Sequence, residues 1–321
     1  MDPCQPSTTP SRPPAPPLRP SHTSADPVEV YARLDSITNA VEKHAETICK
    51  QLEHRGFFVI DEFLGDDTCA AMRAEAENFH RLGYMAPSQS TRWDPSKKEL
   101  VPYDKHNVLS MQVQGGVDQY GLSPRLVEYT VGLTESLAPV VAAHFPDSAP
   151  LDGTAQSNKL AVCLGDGSAY DKHIDNQGGG DLRKLTVLYY LNRRDWDVDA
   201  CGGSFRAFSD FNMFSPPQQE LGEDTQRTAN TLSPENDGDA SFEYTDIDCT
   251  GDRLFGFWSD KLVHRVMPSF APSGYDDYRY ALTVWMLVRD VAFISHDTDV
   301  ERRHFGHLDE SVDEKATAGQ G

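Results

Sequence analysis

The chain is predicted to be α+β, mainly β, with helices covering one face of an antiparallel sandwich or barrel. Three observations point there. In the first half, apolar residues recur at helical spacing, as in Val30, Leu34, Ile37, Val41, Ile48 and Leu52. Beyond about residue 157 the pattern changes to short aromatic or β-branched runs broken by Gly, Asp and Asn, which are strand signals in series. A hydrophobic content of 38% with 15 Phe and 12 Tyr is enough for one sizeable core, so one β-rich domain is expected rather than two average ones.

Each element follows in order. "PSTTPSRPPAPPLRPSHTSADP" has no periodicity and little to bury, so residues 1–27 are expected to be a disordered Pro-rich leader. Residues 28–54 present one apolar helical face, "GFFVIDEFL" reads as a strand, and "GDDTCAAMRAEAENFHRLG" as a second helix with acids in its first turn. A third helix fits "SPRLVEYTVGLTESLAPVVAAHF", with Ser123 as cap and Pro124 in first position. "KLAVCLG", "KLTVLYYLN", "GGSFRAF", "DRLFGFWSD" and "YRYALTVWMLV" supply strands. Residues 209–248 are acidic and nearly free of strand signals, a disordered insertion by composition, and 296–321 form a charged, flexible tail. One domain over 28–295 results.

Charge and cysteine content limit the partners. With 29 basic against 50 acidic residues the net charge is −21, which argues against nucleic-acid backbones and anionic membranes. No stretch approaches 18 apolar residues, and the N-terminus lacks the apolar core of a secretory signal. Its Ser, Thr, Pro and Arg, without an acid between Asp2 and Asp26, leave organelle import open beside a plain leader. Six scattered cysteines without CxxC spacing point to buried thiols in a reducing compartment, cytoplasmic or nuclear. A monomer is expected. His80, His106 and His144 are given no role.

The chemistry centres on "YDKHIDNQGGG". On an extended segment His173 and Asp175 point to the same side, where both reach one ion. Chance supplies such tripeptides, and His307-Leu308-Asp309 is a second one. What separates them is a following histidine: His264, in "SDKLVHRVMP", offers a third ligand, whereas none follows His307. Two histidines and a carboxylate leave open positions on an octahedral metal, the arrangement of non-haem Fe(II) oxygenases. In "RYALTVWM", Arg279, Ala281, Thr283 and Trp285 share one face of a strand buried on both sides. A guanidinium there is costly without a counter-charge, which either a ligand carboxylate or an acid from another strand would supply.

"GSAYDKHIDN", "VLYYLNRRDWD", "GGSFRAF", "GDRLFGFWSD" and "RYALTVW", in this order, resemble the 2-oxoglutarate- and Fe(II)-dependent prolyl 4-hydroxylases, most of all the hypoxia-inducible-factor type. With "EHRGFFVIDEFLG" the resemblance covers residues 28–292. It implies a double-stranded β-helix (jelly-roll) core, Fe(II) held by His173, Asp175 and His264, and 2-oxoglutarate with its far carboxylate on Arg279 and a tyrosine of "YYLN". Tyr190 is favoured over Tyr189, because Leu188 and Tyr190 would face inward together. Thr283 and Trp285 would line the same pocket, and Tyr170 would steady the approach to His173. The implied reaction is oxygen-responsive hydroxylation of a proline in a protein substrate, using O2 and L-ascorbate as reductant and releasing succinate and CO2. The alternatives are a non-catalytic sensor or scaffold on the same fold, or a zinc hydrolase on the same ligands. Two departures stand out: Cys163 or Leu164 replaces a tyrosine common in the family about ten residues before the first histidine, and the interval from His264 to Arg279 is long.

Overall fold

The computed structural model describes residues 26–94, 97, 99–208 and 242–305. The leader before residue 26, the insertion over 209–241 and the tail beyond 305 lie outside the described residues.

Helix α1 (Pro27–Arg55) opens on Asp26, whose carboxylate accepts the Val28 N–H at 3.0 Å. It closes at Gly56, at φ 73°, whose N–H donates to the Leu52 carbonyl, a left-handed turn that glycine adopts freely. Its apolar stripe, Ile37, Val41, Ile48 and Leu52, is buried as the spacing predicts. Helix α2 (Asp66–Arg81) and helices α3 (Val117–Leu122) and α4 (Pro124–His144) complete this layer. Ser123 holds the N-cap position of α4 as expected, but its side chain makes no capping bond; its hydroxyl donates to the Gln119 carbonyl. Glu75 of α2 takes the cap role, accepting the N–H groups of Arg125 and Leu126 at 3.3 and 3.0 Å. A carboxylate suits a helix N-terminus better than a hydroxyl, since it also meets the positive end of the dipole.

The strands in chain order are β1 (Phe57–Ile60), β2 (Ala86–Asp94), β3 (Glu99–Met111), β4 (Leu151–Cys163), β5 (Ser168–His173), β6 (Arg183–Tyr190), β7 (Phe205–Phe208), β8 (Tyr244–Ile247), β9 (Leu254–Trp258), β10 (His264–Ser269) and β11 (Arg279–Val288). A seven-stranded sheet runs β1-β9-β6-β11-β4-β3-β2 and a four-stranded sheet β5-β10-β7-β8, with every described pairing antiparallel. Helix α5 (Val198–Cys201) links β6 to β7, and α6 (Thr298–Phe305) follows β11.

Side-chain alternation makes two cores from one sheet. Leu160, Val162, Tyr189, Tyr280, Leu282 and Val284 face the helices. Leu188, Tyr190, Phe255, Phe257 and Ala281 face the small sheet, meeting Phe205 and Val266. Gly256 in "LFGFW" sits directly under the Phe58 ring: a Cβ there would lie 2.4 Å from Phe58 Cε1. The glycine lets that ring lie flat on β9, where burial of a phenyl group contributes about 1.5–3 kcal/mol.

The predicted fold class and the placement of the helices on one sheet hold, with four corrections to the elements. The β2–β3 hairpin lies between the helices, and β5 and β10 were not anticipated. The segment expected to be strand-free ends in β8, which pairs with β7 from Phe205↔Ile247 to Phe208↔Tyr244. The tail begins with a folded helix, because Val300 and His304 of α6 are buried.

Candidate metal centre

Strands β5 and β10 place the two histidines. His173 ends β5, His264 begins β10, and the two are register partners with ring centroids 4.2 Å apart. Asp175 follows two residues later, while Ile174 between them joins Phe208, Val263 and Val300 in a separate apolar cluster. His173 Nε2 lies 3.3 Å and His264 Nε2 3.7 Å from Asp175 Oδ1, and one ligand atom from each residue falls within 4.8 Å of the others.

The surroundings prepare these atoms. His173 Nδ1 is 2.7 Å from the Asp171 carbonyl and His264 Nδ1 3.0 Å from the Leu262 carbonyl. Each carbonyl can only accept, so the proton stays on Nδ1 and the Nε2 lone pair faces the centre. Thr186 Oγ1 and Trp285 Nε1 both donate to Asp175 Oδ2, at 2.7 and 2.9 Å, which leaves Oδ1 to the two rings. Burial would raise the Asp175 carboxyl, but His173, His264 and the Trp285 N–H hold it well below the usual range. Burial, helped by His173, pushes His264 down to about 3, so its ring stays neutral and able to ligate. Phe205 stacks on that ring with centroids 4.7 Å apart and fixes its plane.

Beside the triad is a cleft, part of it open to solvent. Arg279, Ala281, Thr283 and Trp285 line it, as the alternation along β11 predicts. Arg279 is 2% exposed; Nε donates to the Gly203 carbonyl at 2.9 Å, and Nη2 is buried without a partner. The alternative of an ion pair fails, because no carboxylate meets Arg279 among the described residues. Tyr190 lies beneath the guanidinium, 5.1 Å from its ring centroid, and the Tyr190 hydroxyl is also buried without a partner. Burial pushes that phenol up to about 12. Tyr189 turns the other way and donates to Asp252, while Tyr190 lies on the inward face with Leu188 and touches the guanidinium without lining the cavity itself. Cys163, one of the two residues (with Leu164) read as standing in for the family's tyrosine, pairs with Arg279 across β4 and β11.

Tyr170 lines the cavity with Lys105 and Lys159. Lys105 Nζ stands 3.8 Å from the Tyr170 ring centroid, and burial, then Lys159, push its ammonium down to about 8. The long interval after His264 is taken up by a turn over Gly274–Asp277, pinned by Arg73, which donates to the carbonyls of Leu191, Tyr275, Asp276 and Tyr278. His80, given no role from the sequence, has its Nδ1 3.0 Å from the hydroxyls of both Tyr275 and Tyr280. His106 and His144 likewise meet Asp166 and Glu53.

Sequence reasoning missed Thr186, Lys159, Lys105 and Phe205. The parity that selects Leu188 and Tyr190 also selects Thr186, and that of "KLAVC" puts Lys159 with Ala161 and Cys163. Lys105 carries no such signal.

Residues 159–287 match the model of the 2OG-Fe(II) oxygenase superfamily. The hypoxia-inducible factor prolyl hydroxylase of Caenorhabditis elegans is 28% identical over 246 residues, 76% of this chain and 28% of that protein. Egl nine homolog 1 of Homo sapiens is 28% identical over 255 residues, 78% of this chain and 48% of that protein. The chain therefore spans less than half the length of either relative. A prolyl hydroxylase from Trichoplax adhaerens, solved with a hypoxia-inducible factor oxygen degradation domain peptide fragment, superposes with a TM-score of 0.54 at 21% identity, covering 82% of this chain and 94% of that one. A prolyl 4-hydroxylase structure from Phytophthora capsici gives 0.54 at 22%, covering 86% and 70%. These likenesses show the fold: the two antiparallel sheets form the double-stranded β-helix core.

Proposed function

From a chain whose residues 159–287 carry a 2OG-Fe(II) oxygenase domain, we propose a 2-oxoglutarate- and Fe(II)-dependent dioxygenase that hydroxylates proline in a protein substrate. One observation carries the co-substrate assignment. Arg279 Nη2 and the Tyr190 hydroxyl are both buried without a partner, and Arg279 lines the cavity that also holds His173, Asp175 and His264. A buried guanidinium left unpaired is unfavourable, and a dicarboxylate with one end on the metal places the other where these groups accept it.

His173 Nε2, an Asp175 oxygen and His264 Nε2 would hold Fe(II), with Nδ1 of each histidine kept protonated by its carbonyl. Bound Fe(II), with 2-oxoglutarate and O2, supplies the oxidising chemistry that ends in succinate, CO2 and a hydroxylated product. The chain's share is positioning. Trp285 and Thr186 orient Asp175, Phe205 fixes the His264 ring, and Arg279 with Tyr190 would hold the far carboxylate of 2-oxoglutarate. Thr283, the cross-strand neighbour of Lys159, belongs to the same wall of the cavity. A zinc hydrolase on the same ligands leaves Arg279 unexplained, and a scaffold has no need of the orphaned donors. The likeness to a hypoxia-inducible factor prolyl hydroxylase supports a prolyl substrate and a response to oxygen. L-Ascorbate as reductant and a cytoplasmic or nuclear setting belong to the same reading, the latter supported by five buried free thiols.

The test is incubation of the enzyme, purified without oxygen, with cell lysate, iron and 2-oxoglutarate, followed by mass-spectrometric mapping of +16 Da prolines. New hydroxyprolines that vanish in His264→Ala, together with its iron, are expected. Zinc in place of iron, or succinate release unaffected by His264→Ala, would overturn the reading.

A further inference from the structure

We propose that Lys105 and Lys159 form a second anion subsite, which takes an acidic side chain of the polypeptide substrate next to the reacting proline. Lys105 comes from β3 and Lys159 from β4, and both ammonium groups reach the cavity. Lys105 is 8% exposed. Among the described residues neither has a hydrogen bond or an ion pair; they meet aromatic faces instead. Lys105 Nζ is 3.8 Å from the Tyr170 centroid, and Lys159 Nζ is 5.7 Å from that centroid and 5.6 Å from that of Trp285. Both ammonium groups thus address the same Tyr170 ring; burial lowers both, Lys159 lowers Lys105 further, and Asp175 raises each.

Charge matching says what they await. In the dioxygenase reading, on which this subsite rests, the metal's charge would be matched by Asp175 and one carboxylate of 2-oxoglutarate, and Arg279 by the other. Asp175, whose field reaches both lysines, would then be engaged by the metal, and two partly desolvated cations at one aromatic ring are unfavourable until an anion joins them. The remaining molecule at the centre is the substrate. Lys105 belongs to the hairpin at one end of the large sheet, and Tyr103 ties that hairpin to β5 by donating to Asp171 Oδ2 at 2.9 Å. Lys105 thus reaches the cavity from a hairpin held against β5, whereas Arg279 enters it from β11 at 2% exposure. A flanking Asp or Glu fits; a neutral Asn or Gln leaves both charges unpaired.

The experiment offers the iron-loaded enzyme a pool of peptides X-X-Pro-X-X, with each hydroxylated member identified by mass. The wild type is expected to enrich Asp and Glu roughly tenfold over Asn and Gln at a flanking position. Lys159→Arg keeps the charge and the enrichment, whereas Lys105→Met combined with Lys159→Met abolishes it. Turnover with no acidic enrichment in the wild type overturns the subsite alone. A raised 2-oxoglutarate KM in the double variant with unchanged flanking preference also overturns it, by giving the lysines to the near carboxylate. Absence of any iron-dependent turnover overturns the dioxygenase reading, and the subsite with it.

Discussion

Arg279 and Lys105 are two buried cations in one cavity with opposite electrostatic situations. Arg279 has one amine on a carbonyl and one orphaned, so its loss should be felt through the co-substrate. Arg279→Ala is expected to weaken 2-oxoglutarate binding by about 2–5 kcal/mol, and Arg279→Lys less, because charge survives without the fork. The 2-oxoglutarate KM measured beside iron content checks this, since neither variant should lose metal. Lys105 titrates near 8 in the folded protein against 10.5 in a free side chain. The unfolded chain therefore binds the proton more tightly, which opposes folding at neutral pH, and the penalty fades as pH rises from about 8 to 10.5. Lys105→Met should accordingly stabilise the metal-free protein at pH 7, by on the order of 2–3 kcal/mol, with the gap closing over that window in urea unfolding. The pair His173 and Asp175 was legible because period two is a local property of an extended chain. Lys105 was not, because its place depends on a strand distant in sequence arching over β5.

Whole strands were readable where both faces are apolar, as in β6, β9 and β11, and were lost where Pro or charge interrupts them. The β3 segment contains Pro102 with Asp104 and Lys105, and β10 contains Pro268, yet tertiary pairing overrides these breakers. Strand β8 hid in an acidic context for the same reason: its half-buried residues gain from β7, including the Arg206–Asp246 pair at 2.8 Å, rather than from their own propensity. That sets the limits of a dispensable insertion. Removing residues 212–238 is expected to leave substrate-free 2-oxoglutarate decarboxylation near normal. Removing residues 212–248 should lower the unfolding midpoint and the activity together, since it strips an edge from the small sheet. Thermal unfolding and succinate release of the two deletions discriminate these outcomes.

At the scale of the molecule, the large sheet carries the helices and the small sheet carries both histidines, so the centre joins two layers with separate cores. Metal and 2-oxoglutarate bind only the folded state and should stiffen the layer they bridge. Amides of β5 and β10 are expected to exchange at least about tenfold more slowly with Mn(II) and 2-oxoglutarate than without, while α1 and α4 change little. Hydrogen-exchange mass spectrometry resolves the two, and equal slowing everywhere would contradict the layered picture. The same layering bears on where the protein tolerates being shortened. Ile174, wedged between two ligands, turns its back to them and shares an apolar cluster with Val300 of the last helix. A gene ending at codon 295, the boundary that hydropathy suggests, would encode every ligand and still remove the floor on which the tripeptide rests. Such a product should fold and bind iron loosely, a lesion that no inventory of ligands would reveal.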